Sequence, residues 1–267
     1  MRQGVAPVLC SVLWAAQTVS TALYVSRGNT GALMVMGAVA AAEVIKSVAA
    51  GAHCGWKSAH PRPHYLICAF CSVSCSALAY PVLARTNASN YVQLLAIQHT
   101  IVPILQIFAH GGETTRRDIF SAAAGLGAYA VVAIGNQWAA LAALVQSLLV
   151  CFADAIDATA DDDPKRELFT ASVFTSWTAL MIFFGSLISN LSRAADAEGP
   201  HAFAAITIVL MAATGICRGY ASAEPQRPVL STTVELLLVT GGSIVVLGQV
   251  PSAASAVGAV LATIAAL

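Results

Sequence analysis

The sequence predicts an all-α membrane protein whose ten transmembrane helices form two inverted five-helix repeats, and three observations carry that expectation. The 267 residues are 58% hydrophobic and only 10% charged, with a mean hydropathy of +0.75, well above what soluble domains of this length show. Apolar runs long enough to cross roughly 30 Å of hydrocarbon recur from end to end, separated by short polar breaks. The runs number ten, and an odd number in each half forces the second half to enter the membrane upside down relative to the first, which is the plan of many secondary transporters.

The first span, 5–25, follows Arg2 and could be a signal peptide, but its 21 apolar residues exceed a typical h-region of about 7–15, so a retained helix is expected. "SRGNTG" ends it and opens 31–51. "HCGWKSAHPRPH", with two prolines, leads into 65–83. "ARTNAS" precedes 90–109, where Pro103 removes a backbone hydrogen bond and is expected to kink the helix. "HGGETTRR" opens 118–135, and the three-residue break "GNQ" turns the chain into 137–156. "DATADDDPKRE" leads to 168–189, with Asp161, Asp162 and Asp163 placed to cap it. "LSRAADAEGP" precedes 201–221, "EPQRP" precedes 229–247 and "GQVPS" precedes 252–267. Gly, Pro, Asn and charge in these breaks are what helix ends require. None exceeds about a dozen residues, which leaves no room for a soluble domain.

The halves are then 1–136 and 137–267. A faint internal echo accompanies them: "HGGETTRRDIFSAAAGLGAYAVVAIG" closes the first and "LGQVPSAASAVGAVLATIAAL" the second. Each passes from a Gly-polar turn into an Ala/Gly/Val helix, a resemblance that small-residue membrane helices also share by composition alone.

Charge sets the orientation. With the N-terminus cytoplasmic, Arg2, Lys57, Arg62, Arg116, Arg117, Lys165, Arg166, Arg218 and Arg227 fall on the cytoplasmic side, against Arg27, Arg85 and Arg193 opposite. That is the bias expected of a cytoplasmic face. The sequons at Asn87 and Asn190 fall on the lysine- and arginine-poor side. Basic and acidic residues balance at 13 each, so no field argues for nucleic acid. The seven cysteines sit mostly in apolar runs without the histidine partners of a zinc site, and read as small apolar fillers. With no nucleophile, metal or dinucleotide motif in the chain, neither catalysis nor a cofactor is expected.

The informative residues are those that break the apolar pattern. A charge at mid-bilayer costs about 2.5–3.5 kcal/mol on insertion scales, so it is retained for a reason. Glu43 and Lys46 stand one turn apart on one helix face, close enough to pair. The pair either packs spans together or lines a central cavity where a polar solute competes for one partner. Span four carries Tyr91, Gln93, Gln98, His99 and Thr100. Tyr91, Gln98 and His99 could offer a ring to stack on and donors for hydroxyls or phosphate, whereas a tyrosine at a span end, such as Tyr91 or Tyr80, is commonly an interfacial anchor. Arg218, Tyr220, Gln226 and Arg227 sit at the cytoplasmic mouth of the second half, suited to phosphate or carboxylate. Deeper lie Ser231, Thr232, Thr233 and Glu235, the last in an otherwise apolar helix and in need of a partner or a proton. Asp154 and Asp157 read as a solvated helix end.

"AAEVIKSVAA" resembles the Glu-Val-x-Lys signature of nucleotide-sugar transporters in the drug/metabolite transporter superfamily. "NASNYVQLLAIQHTIVPILQIFAHGGETTRRDIFSAAAGLGAYAVV" is similar to that family's fourth and fifth helices, and the tail from "GYASA" to "GAVLATIAAL" resembles its last two. The chain departs from the pattern where some branches have a fourth-helix lysine, here Gln98 beside His99. The family's Lys-Tyr-Ala-Asp run is reduced to Arg218-Gly219-Tyr220-Ala221-Ser222.

The resemblance implies an antiporter exchanging a nucleotide sugar for a nucleoside monophosphate across the Golgi membrane, or secondarily that of the endoplasmic reticulum, with both termini cytoplasmic and room for a homodimer. It implies substrate contacts at Glu43, Lys46, Tyr91, Gln98, His99, Arg218, Tyr220, Thr233 and Glu235. A different solute carrier of the same architecture, or a relative that no longer transports, remains the alternative.

Overall fold

The computed structural model describes residues 5–26, 31–54, 62–110, 115–157, 164–189, 201–221 and 228–266. Among these, every regular element is a helix: α1 (Val5–Ser26), α2 (Ala32–Cys54), α3 (Pro63–Arg85), α4 (Ala88–Leu95), α5 (Gln98–His110), α6 (Arg116–Ala133), α7 (Gln137–Asp157), α8 (Pro164–Ser189), α9 (His201–Ala221), α10 (Pro228–Leu247) and α11 (Ala253–Ala266). The helices follow the ten expected spans except that span four is two segments, α4 and α5.

Local chemistry explains several ends. α3 opens on Pro63, where a missing N–H costs nothing. Asn87 caps α4, its Oδ1 accepting the Asn90 N–H at 2.6 Å. α6 starts with a reciprocal capping box: Thr115 Oγ1 accepts the Asp118 N–H at 3.2 Å, and Asp118 Oδ2 accepts the Thr115 N–H at 2.9 Å. The proposed caps at Asp161, Asp162 and Asp163 lie outside the described residues.

The interruption in span four is at Ala96–Ile97, not at Pro103. There the bonds tighten to i→i+3, with Ala96 N–H donating to Gln93 O at 3.1 Å and His99 N–H to Ala96 O at 3.1 Å. A Cβ built on Gly125 of α6 would stand 2.6 Å from the Ala96 carbonyl oxygen, so the absence of a side chain lets the break rest on α6. Pro103 stays inside α5, where the His99 carbonyl is the group that loses its i+4 donor.

The helices pack as a closed ring: α2 on α8, α8 on α3, α3 on α7, α7 on α4 and α5, these on α6, then α11, α10, α1, α9 and back to α2. α4 also reaches across to α10 and α11. α6 and α11 meet through small residues, among them Ala124 and Ala128 against Ala262 and Ala265, all buried, and such surfaces let backbones approach closely. The outer surface is strongly apolar, with Phe108, Ile134 and Val245 each 84% exposed. Four helical stretches, Val8–Ser26, Leu33–His53, Pro63–Arg85 and Phe169–Ile188, are long and apolar enough to cross a membrane. Gln137–Ala153, Ala204–Cys217, Thr233–Leu247 and Ala253–Ala266 are shorter apolar stretches.

Candidate functional site

The charged residues of α2 lie within the helix packing. Lys46 Nζ and Glu43 Oε2 form an ion pair, with side chains 13% and 10% exposed. Their i,i+3 spacing puts both on one helix face. The Glu43 carbonyl accepts a hydrogen bond from Ser176 Oγ of α8 at 2.6 Å, and that hydroxyl also lies 2.8 Å from Ser172 O. On the other flank the Lys46 stem crosses α9 at Gly215, where a Cβ would come 2.8 Å from Lys46 Cδ. The pair is thus held at a three-helix seam of α2, α8 and α9. Beside it an open apolar groove of about 400 Å³ runs between α2 and α8, lined by Gly37, Ala40, Val44, Ile45, Leu180 and Phe183.

Glu235 of α10 faces α1, where Ser11 Oγ donates to its Oε1 at 3.1 Å. Thr233 is half-buried two residues earlier. Next to Ser11, Cys10 of α1 lies beside Cys217 of α9. Arg218 and Tyr220 belong to α9, and Asp154 and Asp157 to α7, but their side chains lie outside the described residues, as do those of Ser231 and Thr232. Gln226, Arg227 and Asn190 lie outside them altogether.

Tyr91 and Tyr80 are not interfacial anchors. Both are buried, at 4% and 1% exposure. The Tyr91 hydroxyl accepts from Gln146 Nε2 of α7 at 2.8 Å, and the Tyr80 hydroxyl donates to Met211 Sδ at 3.4 Å. Each ring buries its apolar body and finds a partner for its polar tip, as a buried tyrosine requires. Gln98 and His99 are half-buried on the first turn of α5, directly after the break.

The structure therefore pairs Glu43 with Lys46, and places those expected residues whose side chains are described in three helix neighbourhoods: α2/α8/α9, α1/α10 and α4/α5/α7. It also adds a network that sequence reasoning did not assemble. Gln93 is fully buried and donates from Nε2 to Ser255 O at 2.8 Å and Ser255 Oγ at 3.0 Å. On the same face of α4, Ser89 shares a hydrogen bond of 3.1 Å with Thr240 of α10. Gln146 donates to Cys75 O at 3.1 Å as well as to Tyr91, and the Cys75 thiol lies 3.4 Å from Gln146 O. The signal that could have found Gln146 is the one that exposed Glu43, a strongly polar side chain inside a largely apolar run.

No family model matches the chain, and no curated protein matches it. Among solved structures it is similar to one described as "Crystal structure of protein", with a TM-score of 0.64 over 96% of this chain and 94% of that one, at 13% identity. At that identity the likeness concerns the fold alone.

Proposed function

We propose that the chain is a membrane-embedded carrier of two inverted five-helix halves, 1–136 and 137–267, that moves a small polar solute by alternating access. The observation that carries this reading is the packing pattern. Let α1, α2, α3, the α4–α5 pair and α6 correspond to α7, α8, α9, α10 and α11. Exchanging the halves then turns α3 on α7 into α9 on α1, α3 on α8 into α9 on α2, α1 on α10 into α7 on α4–α5, and α6 on α4–α5 into α11 on α10. Every one of these packings is present. The pairs α2 with α8, α6 with α11 and α4 with α10 map onto themselves and are also in contact. Such exchange symmetry supports two folding units related by a pseudo-two-fold axis, the architecture in which two halves rock about a shared site.

The solute we propose is a nucleotide sugar, exchanged for a nucleoside monophosphate across the Golgi or endoplasmic reticulum membrane with the termini cytoplasmic. Support comes from the Glu43–Lys46 pair, poised so that an anionic group can draw Lys46 from its carboxylate, and from the resemblance around "AAEVIKSVAA". A carrier of another solute is the second reading, favoured by Gln98 standing where branches of the resembled family have lysine. Counterflow into liposomes preloaded with UMP, CMP, GMP or AMP tests both. Exchange driven by one nucleotide supports the first reading, and exchange indifferent to all four defeats it. Absence of exchange with any solute would remove the carrier reading itself.

A further inference from the structure

We propose that two three-helix joints, one centred on Gln146 and the other on Ser11 with its neighbour Cys10, are the paired gates of the carrier; the inference rests on the transport reading above. In the first joint, α7 holds α3 and α4: Gln146 donates to Cys75 O at 3.1 Å and to the Tyr91 hydroxyl at 2.8 Å, with the Cys75 thiol returned to Gln146 O at 3.4 Å. In the second, α1 holds α9 and α10: the Cys10 thiol meets Cys217, and Ser11 Oγ donates to Glu235 Oε1 at 3.1 Å. Under the exchange of halves, α7, α3 and α4 become α1, α9 and α10. The two joints are therefore counterparts, although apart from a cysteine on the corresponding helices α3 and α9 their residues differ.

The two joints lie at different depths along the helices. Ser11 lies six residues into α1, and Cys217 four residues from the end of α9, both toward the side assigned to the N-terminus. Tyr91 lies near the start of α4, which leaves the opposite side, while Gln146 and Cys75 lie near the middles of α7 and α3, so the first joint reaches from that side to the centre of the bundle. Both joints connect one half to the other, so opening either requires the halves to separate there. The hydrogen bonds named at each joint are neutral or singly charged, and each is individually weak enough to break reversibly. A two-state carrier needs one joint broken while the other holds.

The native thiols report on each joint. In sealed vesicles carrying the full chain, a membrane-impermeant maleimide is applied from either face and the modified cysteines are identified by mass spectrometry. Weakening the first joint by Tyr91→Phe, or by Gln146→Leu as an independent variant, is expected to raise Cys75 labelling several-fold and lower that of Cys10 and Cys217. Ser11→Ala is expected to do the converse, and Ser11→Thr, which keeps the hydroxyl, to label like the parent. Labelling that changes in the same direction at both ends, or at neither, overturns the proposal. The readout needs no transported solute, so it stands apart from counterflow, whose absence would count against the transport reading alone.

Discussion

Lys46 of α2 lies across Gly215 of α9, so closely that a Cβ on the glycine would stand 2.8 Å from Lys46 Cδ. The nearest atom is a methylene carbon, with the ammonium nitrogen 3.8 Å from the same point, and that ammonium pairs with Glu43. Gly215→Ala is expected to push the lysine stem aside and loosen the ion pair. Counterflow should fall several-fold while the protein still reaches its membrane. Gly241→Ala is the control: nothing lies within 4 Å of a Cβ there, and alanine in a helix interior should stabilise by up to ~1 kcal/mol. Equal effects of the two substitutions on transport would remove this role of Gly215.

Charge removal separates a packing role for Glu43 and Lys46 from a solute-handling one. Glu43→Gln leaves the ammonium at a seam where its side chain is 13% exposed, and unpairing a buried charge typically costs about 3–5 kcal/mol. Lys46→Met strands the carboxylate in the same way. Thermal unfolding in detergent should therefore show a lower Tm for each single variant and recovery in the double variant Glu43→Gln/Lys46→Met. Transport is expected to stay low in the double variant. A double variant that recovers both would make the pair a packing device.

Gln93 and Gly258 form a second fitted pair. Gln93 Oε1 rests against α11 at Gly258, where a Cβ would overlap it, while Nε2 is bonded to Ser255. Gly258→Ala should expel the amide from its place and leave buried polar atoms unsatisfied, at a cost of about 1–3 kcal/mol. Gln93→Ala combined with Gly258→Ala should recover part of that loss, since the shortened side chain no longer meets the new methyl. Unfolding midpoints of the two variants and the parent check this. A Gly258→Ala protein as stable as the parent would contradict the fit.

How far these relationships could be read in advance depends on their range. The helical segments are legible because each is a local property of composition, and the Glu43–Lys46 pair because both residues lie on one turn of one helix. The break at Ala96–Ile97 is not, because Gly125, on another helix, provides the bare surface that receives it. Pro103, the obvious local signal, proved tolerable within α5. Tyr91 and Tyr80 were misread for the same reason: their partners Gln146 and Met211 stand on other helices, and a ring at a span end has no local feature that tells a lipid interface from a packed core. Likewise Ser255 gained meaning only once α11 was set beside α4.

Asn87 offers a last test, on a residue whose sequence motif and structural task diverge. Its Oδ1 accepts the Asn90 N–H at 2.6 Å as the cap of α4, and Ser89 of the same sequon is buried against Thr240. The motif is thus consumed by the helix start, and a glycan on the amide would pull it off the cap. Endoglycosidase treatment of protein from a glycosylating host is expected to leave migration unchanged at this site. Asn87→Asp should keep the cap, while Asn87→Ala should lower stability by ~1 kcal/mol. The capping role predicts this ordering because aspartate retains an acceptor oxygen and alanine has none. Asn87→Asp and Asn87→Ala proteins of equal stability would mean that the side chain contributes nothing to the start of α4.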